Sequence, residues 1–466
     1  MDVKFEAAEY QPDGSFAAVE YRFVGNTIEG WWIERKGVPH LQLGPGYRLL
    51  QVLQCGVCAT DLARRYLPFP LPQITGHELL ARDAEGQRYV VEINASHHAR
   101  GVETVCRFCR SGFGRHCPDR LVLGIHGLPG GFGPWVLVPL ASAIPLDGGI
   151  PDGAAVLVEP FAAALNAVTT VSPRSGDTVA VLGPRRLGML VVCALDAWRR
   201  SSGLSFDVIT LTRHQHLGDL ARVLGADANL SVDGDGRALP GGLADVVIDT
   251  TGNPEALELA LRLARREVHL KSTHGRSSVG LSHLTELVVD ELWIGPVPEQ
   301  WPADARVAWL SKGDAPTHLR TDQVWQEGSV TTLLDRLHAV VGEQIPRVDL
   351  AVVDSMHQMD SVIRIGVEEE VSLVRPGGGI LLDTRATNGV DEPLLRAIRE
   401  RGLRLSSSRC GDFRAALDLM KGNDRLRGIG DQLITHRFRS GVAGVSRAFE
   451  TAAAPECIKA IVDHQL

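Results

Sequence analysis

The chain has 466 residues and no apolar run of the roughly 18–20 residues needed to cross a bilayer. Its start, Met1-Asp2-Val3-Lys4, lacks a signal-peptide pattern. Positive charge is also short: 48 Lys and Arg stand against 56 Asp and Glu, a net charge of −8. No global basic field therefore draws in nucleic acid or an anionic membrane. These absences imply a cytoplasmic protein with neither nucleic acid nor membrane as partner. What is present is ordinary globular composition, 44% hydrophobic and 22% charged. The length suggests two or three domains of roughly 150 residues each.

Cysteine is sparse but not scattered. Of the eight cysteines, Cys55 and Cys58 form one motif and Cys106, Cys109 and Cys117 another. In a long chain without a secretion signal, such clustering reads as metal binding rather than disulfides. Cys58 opens Cys58-Ala59-Thr60-Asp61, and His77 sits in Gly76-His77-Glu78, each motif following a β-like run. A thiolate and an imidazole suit zinc, and zinc with one open position is a Lewis acid. The second motif, a C-x2-C pair with a third Cys in a Gly-containing loop, has the pattern of a closed structural zinc lobe. Three thiolates leave tetrahedral zinc one ligand short. Glu103 has the spacing to complete the set; His97 and His98 are rivals.

Short strands and turns dominate up to about residue 150, as in Phe16–Phe23, Ile28–Ile33 and Tyr47–Gln54. Beyond that point strand and helix patterns alternate. Thr178–Leu182 reads as a buried strand, Gly183-Pro184-Arg185-Arg186-Leu187-Gly188 as a turn, and Met189–Trp198 as an apolar helix. That order is the layout of a dinucleotide-binding βαβ unit. Continued alternation through Ala244–Thr250 and Val268–Ser272 predicts an α/β fold with a doubly wound parallel sheet. Asp349–Ser355 echoes Ala244–Thr250 at an offset of 105. Residues 297–401 therefore read as a partial βαβ duplication of the second half of that sheet, inserted without a Gly-rich turn of its own.

Together, Cys58-Ala59-Thr60-Asp61, Gly76-His77-Glu78, the Cys lobe, Glu159-Pro160, the Gly-containing turn and Thr435-His436 with Ile458-Lys459 carry a family likeness. The chain resembles the zinc-dependent medium-chain dehydrogenase/reductase superfamily, the alcohol, polyol and threonine dehydrogenase group. The resemblance covers about residues 40–296 and 402–466. Glu92-Ile93-Asn94, Val122-Leu123-Gly124-Ile125 and Leu270-Lys271-Ser272-Thr273 are similar to a branch without an assigned substrate. The resemblance implies a GroES-like, mainly-β catalytic domain over residues 1–160, to which 411–466 return. It implies a Rossmann domain over 161–410, including the insert 297–401.

For the site, the resemblance implies a catalytic zinc on Cys58, His77 and Glu159, with Glu78 able to approach the metal. Thr60 matches a proton-relay hydroxyl, and Asp61 a carboxylate that orients the zinc histidine. Cys55 is read as a packing residue. Lys459 matches a basic residue near the cofactor pyrophosphate. The implied activity is hydride transfer between NAD(P)(H) and a small-molecule alcohol, polyol or matching carbonyl. A homo-oligomer, dimer or tetramer, is implied too, and the insert arrives near Gly295 by the edge through which relatives commonly dimerise.

Two departures matter. Gly183-x-Arg185-x-x-Gly188 lacks the middle glycine that lets backbone approach a pyrophosphate. Arg185 either obstructs that approach or turns outward and pairs with phosphate. Thr212-Arg213-His214 lacks the acid that holds the ribose in NAD-binding folds, which favours NADP(H) over NAD(H). The expected cofactor positions are Gly183, Arg185, Leu187, Gly188, Thr212, Arg213 and Lys459. The altered turn also allows an alternative: a non-catalytic zinc-containing relative that has lost dinucleotide binding and serves as a scaffold or small-molecule binding protein.

Overall fold

The computed structural model describes residues 1–272, 275–316, 324–326, 329–365, 372–386 and 392–466. Thr273 of the Leu270–Thr273 motif lies outside the described residues. The chain forms two compact units, Met1–Ala162 with Cys410–Leu466, and Ala163–Arg409. None of the described helices is long and apolar enough to cross a membrane.

The first unit is mainly β. Asp2–Tyr10, Phe16–Asn26, Gly30–Arg35 and Val38–Leu43 make a four-stranded antiparallel sheet. Period-two alternation buries Tyr21, Phe23, Trp31 and Ile33 on one side of it. A seven-stranded sheet follows, in which Tyr47–Gly56 pairs antiparallel with Glu78–Arg82, Trp135–Pro139 and Lys459–Asp463. The last strand brings the C-terminal segment back into a sheet begun early in the chain. This arrangement positions the site: Cys58 follows the central strand, Glu78 opens one neighbour and Lys459 opens the other.

The second unit is α/β. Its strands are β1 (Thr178–Leu182), β2 (Asp207–Thr212), β3 (Ala228–Ser231), β4 (Ala244–Asp249), β5 (Ala264–Leu270) and β6 (Trp293–Pro296). The insert adds β7 (Val307–Trp309), β8 (Val324–Trp325), β9 (Val348–Val353) and β10 (Val374–Leu382), and β11 (Arg404–Ser407) closes the set. Helices are α1 (Arg186–Ser202), α2 (Gln215–Leu224), α3 (Pro254–Leu263), α4 (Leu284–Val289), α5 (Val330–Val340), α6 (Met356–Ile363) and α7 (Pro393–Arg401). Among the described residues the strands form one eleven-stranded sheet, in the order β3-β2-β1-β4-β5-β11-β6-β10-β9-β7-β8. Continuous buried apolar runs such as Val179–Leu182 and Leu350–Val353 fit a sheet covered on both faces.

Two expectations about the insert need correction. It brings β7 and β8 as well as β9 and β10, so it is more than the second half of a sheet. The sequence echo is also displaced by one residue. β4 and β9 differ by 104 positions, and each faces a bulge in the next strand: Ala264–Glu267 of β5 opposite Asp245, and Val374–Gly379 of β10 opposite Asp349. The two carboxylates opposite the bulges do the same work. Asp245 Oδ2 accepts the Thr178 N–H at 2.8 Å and pairs with Arg265; Asp349 Oδ2 accepts the Arg306 N–H at 2.8 Å and pairs with Arg375. Matching Asp249 to Asp354 by residue type alone hides this.

Candidate functional site

In the first unit the site is built on strand ends. Cys58 precedes the short helix Ala59–Leu62, and its N–H donates to Asp61 Oδ2 at 2.9 Å. Thr60 sits half-buried on that turn, while Asp61 is buried, its Oδ1 3.6 Å from His77 Nδ1. Asp61 is thus placed to set the orientation of the imidazole. Gly76 leads into His77 with φ +98°, and a Cβ there would stand 2.8 Å from Cys55 Sγ. Only glycine suits that turn. Cys55 is fully buried beneath it and lies outside the cluster of ligand atoms.

Cys58, His77 and Glu78 each offer a ligand atom within 4.8 Å of the others. Glu159, in the first turn of helix Val158–Val171, stands outside this tight group but acts on it electrostatically. Burial pushes the Glu159 carboxyl up to about 7, with His77 drawing it down and Glu78 pushing it further up. Burial opposes a charged His77, yet Asp61, Cys58 and Glu159 together hold its pKa well above the usual value. Three carboxylates and a thiol around one imidazole form a concentration of buried negative charge that a divalent cation relieves. The mixed S, N and O donors fit zinc.

Lys459 belongs to the same cluster. It is buried, ion-paired with Glu78, and donates to the Val57 carbonyl at 3.1 Å. Gly56 makes room for the pair: a Cβ there would be 2.3 Å from Glu78 Oε2 and 2.8 Å from Lys459 Cε. The expectation for Lys459 was a phosphate; here its ammonium is engaged by a carboxylate next to the candidate ligands.

The lobe also differs from expectation in one ligand. His97, Cys106, Cys109 and Cys117 gather their ligand atoms within 4.8 Å of one another, whereas Glu103 is exposed and outside the group. His97 accepts the Cys106 N–H on Nδ1 at 3.0 Å, which locks the ring against the Cys106–Cys109 turn. His98 points elsewhere, its Nε2 3.0 Å from the Cys109 carbonyl. Sequence spacing favoured the residue three before Cys106; chain folding favours the one that is buried with it.

In the second unit, β1 ends at Gly183 with φ +78°, where a Cβ would meet Thr251 Cγ2 at 2.5 Å. A Cβ on Gly188 would lie 2.6 Å from the Gly183 carbonyl oxygen and 2.7 Å from Thr250 Oγ1. These two glycines give the tight turn and the close helix–strand contact of a dinucleotide loop. Arg185 has φ −119° and ψ −128° and a half-buried side chain, so the turn carries a side chain at its middle position. Leu187 lies in the first turn of α1. On the adjoining strand Thr212 is buried, while Arg213 is exposed and donates to the Gly234 carbonyl at 2.8 Å. Thr250 was not singled out from sequence, yet its hydroxyl is within bonding distance of both the Leu182 and Gly183 carbonyls, at 3.0 and 2.9 Å. The Thr250-Thr251-Gly252 run after β4 was the available signal.

Residues 44–148 match the family model of the alcohol dehydrogenase GroES-like domain. An L-threonine 3-dehydrogenase of Rhizobium etli is 33% identical over 210 residues, 42% of this chain; the chain spans only 58% of that relative's length. An L-threonine 3-dehydrogenase of Streptomyces avermitilis is 30% identical over 271 residues, 53% of this chain and 72% of that protein. A short chain alcohol dehydrogenase of Escherichia coli CFT073, solved in complex with NADH, shares the fold with a TM-score of 0.58 at 17% identity, covering 99% of each chain. A mainly-β unit with clustered zinc-type ligands, in one chain with a dinucleotide-type sheet, defines a class of enzyme folds. The chain belongs to the zinc-dependent medium-chain dehydrogenase/reductase superfamily.

Proposed function

We propose that the protein is a zinc-dependent oxidoreductase that transfers a hydride between NAD(P)(H) and a secondary alcohol, a polyol or the matching carbonyl. The observation that carries this reading is the convergence of half-buried Cys58 with buried His77 and Glu78, with Glu159 acting on His77. Cys58, His77 and Glu159 would hold the metal, with Glu78 tethered by Lys459 beside them. Zinc, when bound, supplies a Lewis acid that lowers the pKa of an alcohol oxygen. Asp61 keeps the His77 ring in place, and Thr60 would carry the departing hydroxyl proton toward solvent. The turn Gly183–Gly188 and the start of α1 would hold the pyrophosphate, where helix N-termini favour anions. Arg213, in the absence of an acid after β2, supports NADP(H) over NAD(H). His97, Cys106, Cys109 and Cys117 would hold the structural zinc.

Fluorescence titration of the zinc-replete protein with NADPH and NADH tests the reading. Saturable binding, tighter for NADPH, is expected; binding of neither overturns it. Elemental analysis should find about two zinc per chain. Replacing His97 or Cys109 with Ala should lower that to about one, and Glu103→Ala should leave it unchanged.

A further inference from the structure

Among the described residues, strand direction in the second unit reverses once. Neighbours from β3 to β11 are all parallel, as are neighbours from β6 to β8. Only β11 and β6 run antiparallel, with Ile294 opposite Leu405. This seam divides the sheet into β3-β2-β1-β4-β5-β11 and β6-β10-β9-β7-β8. The chain crosses it late in each half. β5 leads through α4 to β6 on the far side, and β10 leads through α7 to β11 on the near side. Each half is closed by a strand that the other half delivers.

The halves match in detail as well as in order. Both carry the carboxylate opposite a bulge described above, bonded to the neighbouring strand and to an arginine. Beyond the bulge, the Lys271 N–H donates to the Asp249 carbonyl at 2.9 Å, and the Asp383 N–H to the Val353 carbonyl at 2.8 Å. The backbone therefore leaves both strand pairs in the same register.

We infer that residues 297–401 are a second copy of the nucleotide-binding half-sheet, joined to the first by strand exchange, and that they occupy the edge where a separate copy of the chain would otherwise pair. A two-fold contact between identical sheets sets an edge strand antiparallel to its own copy. β6 and β11 hold equivalent places in the two halves and meet in that way. An uncovered β11 would offer unpaired backbone N–H and C=O groups to any passing strand. Here the seam is sealed: Ile294 and Leu405 are fully buried. Trp293 packs so closely on β10 that a Cβ at Gly379 would lie 2.3 Å from its ring, and Arg404 stacks 4.9 Å from the ring centre. Arg401 of α7 donates to the Leu261 and Ala264 carbonyls of the first half at 2.8 and 2.6 Å. One apolar core runs across the seam, from Val247 and Leu270 to Val353 and Leu382. Because this partner is covalently attached, its pairing is intramolecular and insensitive to protein concentration. Any homo-oligomer then forms on other surfaces. None of this depends on the catalytic reading.

The full-length double variant Ile294→Cys, Leu405→Cys tests the seam. After mild oxidation, non-reducing electrophoresis and peptide mass mapping should show a 294–405 bridge inside single chains at every protein concentration. A bridge joining two chains overturns the inference, as does no bridge in a variant that keeps the parent's circular dichroism. A second variant joins Leu292 directly to Leu403, removing β6 through α7. Analytical ultracentrifugation should show it doubling its subunit number relative to the parent. A folded variant with the parent's subunit number also overturns the inference.

Discussion

Asp249 ends β4, and Val353 stands at the matching place in β9. In the first half of the sheet, Gly183 and Gly188 form an open turn pinned by Thr250, within bonding distance of two carbonyls. In the second, Ser311 donates to Asp383 at 2.9 Å, and a Cβ on Gly313 would lie 2.5 Å from that carboxylate. A buried acid thus stands at a carboxyl end where an anion would need a donor. The strand interiors of the two halves are interchangeable apolar runs, while the residues just past each strand differ. Topology tolerates such divergence because burial asks only for apolar side chains of suitable volume. Binding depends on the few groups at the strand ends.

The comparison predicts the largest difference at the glycines. Gly188→Val places side-chain atoms against the Gly183 backbone and should weaken dinucleotide binding by about 100-fold, near 3 kcal/mol. Gly313→Ala should leave the same fluorescence titration unchanged. A second binding event lost in Gly313→Ala would break the claim that the insert is silent toward nucleotide.

Titration of Asp249 gives the next largest effect. Burial pushes its carboxyl up to about 6, partly offset by bonds from Thr251. A folded-state pKa above the unfolded value means the stability from protonated Asp249 is present below about pH 4. It is lost as pH rises through about 6. Asp249→Asn should therefore match the parent near pH 4 and exceed it by about 1–3 kcal/mol above pH 6 in urea unfolding. Val353→Ile, at the matching place, should show no pH-dependent difference from the parent.

Asp245→Ala and Asp349→Ala should each cost about 1–2 kcal/mol, since each removes a charged acceptor from a backbone N–H and an arginine. Similar drops in the urea midpoint would sharpen the equivalence at an offset of 104. A large loss for one and none for the other would break it. Smallest is Arg213→Asp, just past β2, a place where Gln326 follows β8 in the second half. It should move the ratio of NADPH to NADH dissociation constants about tenfold toward NADH.

Much of the first unit's site was legible in the sequence, because its signals are local. Cys58 through Asp61 is one turn of chain, and Gly76 must precede His77 because the backbone there has positive φ. The alternation of strand and helix patterns announced the parallel sheet in the same way, through periodicity within short windows. The expected role of Arg185 stayed open in the sequence; the fold places it half-buried at the turn, directly before α1.

Local windows do not report distance through space. Glu103 lies near Cys106 in sequence but in solvent, while His97 is carried by the fold to the three thiols. Lys459 meets Glu78 across nearly the whole chain because two strands flank Tyr47–Gly56, a pairing that no spacing rule encodes. The repeat was visible as an echo, but its register depended on a bulge, and its exchange across the seam on which edge each final strand joined. By itself, the sequence determined the elements, the thiolate, imidazole and carboxylate types, and the glycine turns, since these follow from backbone sterics and side-chain chemistry. Tertiary structure alone decided which donors converge, which cation is neutralised inside the site, and what covers the edge of the sheet, because those outcomes depend on burial and pairing between residues far apart in the chain.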